Sequence, residues 1–162
     1  DRNVRLEVSK GRFQDVDINK IVQQVEDADI NVMANYIYGL PSDTYESMNK
    51  TLDLSIDLAT LGWNGYAAMP LPGSQLYKDA IESKCDLPKD YVGYSFHSYT
   101  TKPIPTDTLS SEEILKFRDD AYIKYHRSEK FLQKIKDKYG QEAVDNILEN
   151  TKIKLKRKIL GD

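Results

Sequence analysis

One cysteine, one tryptophan and two histidines are all that 162 residues contain of those three types. The single Cys85 excludes an internal disulfide. It also excludes an iron–sulfur cluster or a cysteine-ligated zinc site built from this chain alone. No apolar run is long enough to span a bilayer, and no secretory apolar segment opens the chain, so a cytoplasmic location is expected. Neither sign of charge dominates. The net charge of −3 gives no general attraction to nucleic acid or to an anionic membrane. There is no P-loop, no Ser–His–Asp grouping and no metal-ligand spacing, and no internal repeat or low-complexity tract. What remains is an ordinary globular mixture, 40% hydrophobic and 30% charged, on a length that suits one domain with a real core. Eleven tyrosines are unusual beside one tryptophan, and they crowd the middle of the chain. Asp1 rather than Met stands first, as expected of a chain cut from a longer one.

The stretch Asn31 to Leu54 organises the rest. Val32 to Tyr38 is apolar, aromatic and β-branched, which reads as a strand. Gly39-Leu40-Pro41 follows as a tight turn: glycine permits positive φ and close backbone approach, and proline fixes the exit direction. Asp43 with Glu46 reads as a capping box, so a helix should start near Thr44. Strand, turn and helix in this order make a βα unit, whose free helix-start amides could face a polar ligand.

Upstream, Val4, Leu6 and Val8 alternate with polar residues, a short strand signature. Asp17 is placed to cap a helix carrying Ile18, Ile21, Val22 and Val25 and ending near Ala28. Downstream, Met48, Leu52, Ile56 and Ala59 share a helix face, with Gly62 as the expected stop. Trp63 to Met69 reads as another buried strand, and Ser74 as the cap of a helix through Ser83. Alternating helix and strand argues for parallel strands with right-handed crossovers. The long connection 85–109 holds three prolines and Tyr91, Tyr94, Phe96, His97 and Tyr99, read as cover for a core edge rather than a binding platform.

From Ser110 only helices are expected. Ser110 with Glu113 is a capping box, and Ile114, Phe117, Ala121 and Tyr125 make a buried stripe. A second helix starts at Ser128 and stops at Gly140. A third is expected over 141–159, with Val144, Ile147, Leu148, Leu155 and Ile159 inward. Its basic end reads as favourable cations at a helix C-terminus; the absence of interleaved aromatics or arginines speaks against nucleic acid. Two or three parallel strands are too few to bury a sheet or enclose a barrel. The expected class is therefore α/β: an incomplete parallel (β/α) barrel fragment of two or three strands with crossover helices over 1–84, a connecting loop over 85–109, and an all-helical C-terminal extension over 110–162. Its open strand edges would be covered by the rest of a parent chain or by a second copy.

The run ANYIYGLPSDTYESMNKTLDL resembles the fifth strand and following helix of radical S-adenosylmethionine enzymes, where a G-x-I-x-G-like stretch lies beside the cofactor adenine. Ile37 and Gly39 match that pattern; Asn35 stands where the first glycine would be, and Ser42 at the trailing acidic position. NGYAAMPLPGSQLY resembles the sixth strand and its loop, with Met69, Pro70 and Leu71 near the adenine. GYSFHSYTTKPIPTDTLSSEEILKFRDDAYIKY resembles the helical extension of radical enzymes that often carry a cobalamin-binding domain. The resemblance implies a C-terminal portion of an iron–sulfur oxidoreductase or methyltransferase. Its parent would use S-adenosylmethionine and a 4Fe–4S cluster, with cobalamin as an optional further cofactor. The family's Cys-x3-Cys-x2-Cys motif, its cluster ligands and its first four strands are absent here, so the chain alone is expected to be inactive. The resemblance implies cofactor-binding positions Asn35, Ile37, Gly39, Met69, Pro70 and Leu71, no catalytic residue and no metal ligand in this chain. Lys10 reads as a solvated lysine, with a contact to the cofactor carboxylate as the alternative. His97 reads as structural, with a catalytic proton role as the alternative, His126 reads as a capping or dipole contact at a helix end, and no base is placed to activate Cys85. The competing class is a non-enzymatic interaction or dimerisation module using the sheet edges.

Overall fold

Seven α-helices and two strands make up the chain in the computed structural model, which describes all 162 residues. The expected barrel fragment is not found: the protein is mostly helical, with one small open sheet. The reason starts at the first element. Arg2–Val8 is helix α1, not a strand, because the Asp1 side chain accepts from the amides of Asn3 (2.7 Å) and Val4 (3.2 Å). Three alternating apolar residues fit i, i+4 spacing as well as alternation, and the cap decides for the helix. No third strand arises downstream either. The segment after residue 67 is broken by Pro70, Pro72, Pro88, Pro103 and Pro105, which donate no ladder hydrogen bond.

Ile18–Asp27 forms α2, capped by Asp17 at the amide of Lys20 and ending at Ala28. Met33–Tyr38 is β1, Tyr45–Leu58 is α3 and Gly62–Ala67 is β2. The strands are parallel, in register from Met33 opposite Gly62 to Tyr38 opposite Ala67, with α3 as the crossover. The cap of α3 differs from expectation in its members: Thr44 and Ser47 form the reciprocal box. The stop also differs. Ala59 takes the left-handed turn at φ 44°, and Gly62 opens β2 instead. Gln75–Glu82 is α4, capped by Ser74. A 3-10 turn, Tyr91–Tyr94, interrupts the long connection. Ser111–His126 is α5, Glu129–Tyr139 is α6 and Gln141–Asn150 is α7.

One sheet face carries the core. Tyr36, Tyr38, Trp63 and Ala67 point there and meet Met48 and Leu52 of α3 and Ile114, Phe117, Ala121 and Tyr125 of α5. Phe131 and Ile135 of α6 and Val144 of α7 complete the cluster. Trp63 stacks on Tyr125 with ring centroids 5.3 Å apart, and Tyr38 tilts onto Phe117 at the same distance. Each such ring contributes roughly 1.5–3 kcal/mol by leaving water. The Tyr125 hydroxyl donates to the carbonyl of Thr60, tying α5 to the turn before β2.

Burial also sets a pH response. It pushes the Tyr36 phenol from its ordinary value of 10.0 up to about 12, and raises those of Tyr38 and Tyr125 as well. An unfolded chain loses these protons first, so stability held below pH 10 is lost progressively as pH rises towards the folded values. Alkaline titration followed by phenolate absorbance and circular dichroism should show these three rings ionising late, together with unfolding. Their ionisation with the other tyrosines, before any loss of structure, would contradict the buried placement.

The third C-terminal helix is shorter than expected. α7 stops at Asn150, and residues 151–157 run non-helically to a last 3-10 turn, Lys158–Leu160. The basic tail therefore does not end a helix; Lys152, Lys154, Lys156 and Lys158 are exposed as expected, but its arginine is not. Arg157 is fully buried. Its Nε and Nη2 donate to the Asp119 carboxylate at 2.8 and 3.0 Å, and its Nη1 donates to the carbonyl of Ser98 at 3.0 Å. A fork-shaped ion pair of this kind draws the segment back onto α5 instead of letting the helix continue. No helix is long and apolar enough to cross a membrane.

Candidate functional site on the uncovered sheet face

Successive strand residues point to opposite faces, so the residues between the core positions share the other face. On β1 these are Met33, Asn35 and Ile37, all exposed; on β2 they are Asn64 and Tyr66, both half-buried. The register sets Asn35 beside Asn64 and Ile37 beside Tyr66. The two asparagine side chains are hydrogen-bonded at 3.0 Å. Tyr66 is flanked by Phe96, with ring centroids 4.8 Å apart. A paired polar amide between apolar neighbours is a flat surface able both to hydrogen-bond and to stack.

Beside β1 a cleft of about 720 Å³ opens. Ala34, Asn35 and Ile37 form one wall; Val4, Val8, Ile18 and Val22 from α1 and α2 and Leu54 and Leu58 from α3 form the others. Arg5 lines it with a buried Nε that has no hydrogen-bond partner in the chain. The two sheet edges differ. At β2 the Arg118 Nε, reaching across from α5, donates to the Gly65 carbonyl at 2.7 Å and closes that edge. β1 faces the cleft with no strand on its other side.

The six positions named from the sequence separate into three groups. Asn35 and Ile37 lie on the uncovered face and line the cleft. Gly39 is buried at φ +79°, and a β-carbon there would meet Ile114 Cγ2 at 2.5 Å. Its glycine is required by α5, not by a ligand. Met69 and Pro70 are buried, and Leu71 is 46% exposed. The Ala68 amide donates to the Tyr38 carbonyl at 2.7 Å, so the chain enters Met69–Leu71 beside the end of β1. Asn64 and Tyr66 were not singled out from sequence. The alternation within Trp63 to Ala67 is the signal that could have placed both opposite Trp63.

The amides at the turn are not free. Asp43, 3% exposed, accepts from Gly39 and Leu40 at 3.0 Å each through Oδ2, and from the Ser47 hydroxyl at 2.5 Å through Oδ1. Asp43 thus shapes the turn and does not cap the helix. Replacing Asp43 with alanine leaves two turn amides without their acceptor and should destabilise the fold by about 2 kcal/mol. A urea unfolding midpoint unchanged by Asp43→Ala would show that these bonds hold nothing. Close by, the Ser42 hydroxyl is buried and has no partner in the chain.

The remaining candidates are placed as follows. Lys10 is exposed at φ 53° in the turn after α1. His126 is packed among Trp63, Tyr122, Tyr125 and Phe131, with Nδ1 2.8 Å from the Tyr122 carbonyl oxygen. Burial holds its pKa below the usual imidazole value. His97 sits apart, next to Arg118 across a different cleft. Cys85 is half-buried, and no group of three or more His, Cys, Asp or Glu side chains is arranged to hold a metal ion. Compared with protein-family models and with curated proteins, the chain matches none.

Proposed function

We propose that this chain acts as the C-terminal part of a cytoplasmic radical S-adenosylmethionine iron–sulfur enzyme, forming part of the wall around the cofactor adenine. The observation that carries the reading is the uncovered face of β1 and β2, where the Asn35–Asn64 amide pair lies beside Ile37 at the mouth of the cleft. A purine needs an apolar face and in-plane hydrogen-bonding groups, and this surface offers both. The buried, unpartnered Ser42 hydroxyl at the neighbouring turn is a further polar group for such a ligand. Met69, Pro70 and Leu71 would close the same end, Gly39 would keep the turn tight, and α5 to α7, expected as a helical cap, would instead back the sheet from its core face. When bound, the cofactor and a 4Fe–4S cluster supply the radical chemistry, with cobalamin in parents of that group. This chain positions and shields, and by itself it does not cleave the cofactor.

The test begins with the reading frame before Asp1, which should encode Cys-x3-Cys-x2-Cys. In the cluster-loaded parent protein, Ile37→Asp should weaken S-adenosylmethionine binding by about tenfold in an equilibrium titration. A frame without the cysteines, or unchanged affinity in the variant, overturns the reading.

The open edge of β1 favours a second reading, a non-enzymatic dimerisation module. Light scattering separates the two: the module requires a dimer that Asn35→Pro converts to monomer, because the carbonyls of Val32 and Tyr38 accept from β2 and the alternate residue Asn35 turns its amide to the open edge.

A further inference from the structure

A second cleft, of about 630 Å³, lies between α5 and the C-terminal segment and shares no residue with the one beside β1. Arg118 and Asp119 line it, and the buried Arg157 pairs with Asp119 without reaching the cleft wall. Arg118 is 7% exposed and Arg157 fully buried. Both turn to Asp119: Oδ1 accepts from Arg118 Nη1 at 2.9 Å and from Arg157 Nη2 at 3.0 Å, and Oδ2 accepts from Arg157 Nε at 2.8 Å. The neighbouring acids are engaged elsewhere. Asp120 pairs with Lys116 at 2.5 Å, and Asp162 pairs with Lys154 at 2.7 Å. Two guanidinium groups therefore share a single carboxylate, and one positive charge in a largely buried cluster is left without a counterion. An uncompensated buried charge is costly, and an anion supplied from solution would offset it.

The geometry indicates where that anion would sit. Arg118 lines the cleft; its Nε is fixed on the Gly65 carbonyl at 2.7 Å and its Nη1 on Asp119. Nη2 has no hydrogen-bond partner in the chain, so the guanidinium is oriented with one donor nitrogen to spare. His97 faces the same space, with a pKa lowered by burial and then by Arg118 and Arg157, and so adds a neutral ring. Ile153, Leu155 and Leu160 supply an apolar part of the wall, and Lys116, Asp120, Asn150 and Lys154 add polar groups to it. Ile153 is 69% exposed and so is open to contact with a ligand. The volume is that of an ordinary small-molecule site, which typically runs from about 300 to 1,000 Å³.

We infer that this cleft binds a small amphipathic organic anion, a carboxylate or a phosphate monoester, with the acid group on Arg118 Nη2 and the apolar body against Ile153, Leu155 and Leu160. The site does not depend on the function proposed above, since it uses neither the sheet face nor the β1 cleft.

Calorimetric titration of the chain with decanoate, decyl phosphate and decanol tests it. Either anion should bind with Kd below about 1 mM, and at least about tenfold tighter than decanol. Ile153→Asp, an exposed substitution that leaves the fold intact, should weaken the anion by about tenfold, as should Arg118→Gln where that variant remains folded. Tighter binding of decyl phosphate than of decanoate would select the phosphate ester, and the reverse would select the carboxylate. Equal binding of decanol and the anions, no binding of either anion, or full anion affinity in folded Ile153→Asp overturns the proposal.

Discussion

Asp119→Ala is expected to lower the unfolding free energy by about 3 kcal/mol, at the lower end for breaking a buried ion pair because Asp119 keeps some contact with water. The loss comes from what is left behind. Arg157 is fully buried and Arg118 nearly so, and both lose their one shared carboxylate. The other acceptors of the Arg157 guanidinium, the Ser98 carbonyl and the Thr101 hydroxyl at Nη1, are neutral. The change should also free the segment after α7, which Arg157 pins to α5. Urea unfolding gives the first effect, and hydrogen exchange over residues 151–162 gives the second. A drop in stability with unchanged protection of that segment would mean that the tail is held by its other contacts, such as the Tyr99 hydroxyl on the Asp162 carbonyl. A shift below about 0.5 kcal/mol would place the cluster among solvated surface pairs.

Gly39→Ala should cost about 3 kcal/mol, from two sources that can be separated. A left-handed backbone at φ +79° penalises any β-carbon by about 1–2 kcal/mol. The added carbon would also stand 2.5 Å from Ile114 Cγ2, in a core where overpacking costs about 1–3 kcal/mol. Ile114 is fully buried, so it has no room to turn away. The double variant with Ile114→Ala removes the clash but keeps the backbone strain. It should therefore be less unstable than the sum of the two single changes by about 1 kcal/mol or more. Strict additivity would show that α5 does not press on the turn, and that the glycine serves something other than packing.

Much of the local structure was legible in residue order. The caps Asp17, Ser74 and Ser110, the stop at Gly140, the buried stripe of α5 and the strand Met33–Tyr38 all follow from patterns within a few residues. Errors came where two patterns fit equally well. Val4, Leu6 and Val8 suited a strand or a helix, and the Asp1 cap chose the helix. Leu155 and Ile159 extended a helical pattern that the chain abandons at Asn150, because burying Arg157 against Asp119 outweighs continuing the helix. The candidate site was legible only in part. Asn35 and Ile37 were readable as strand residues, whereas the pairing of Asn35 with Asn64 spans 29 residues and depends on strand register.

Sequence alone determined the strand–turn–helix unit and the limits on chemistry, since one cysteine cannot ligate a cluster and caps act through neighbours in the chain. Tertiary structure decided how many strands there are, which sheet face stays uncovered, what occupies the space above Gly39, and that two distant arginines share one carboxylate. The physical reason is range. Caps and turns are settled by hydrogen bonds over three or four residues, while burial and ion pairing are settled by groups that only the folded chain brings within a few ångströms.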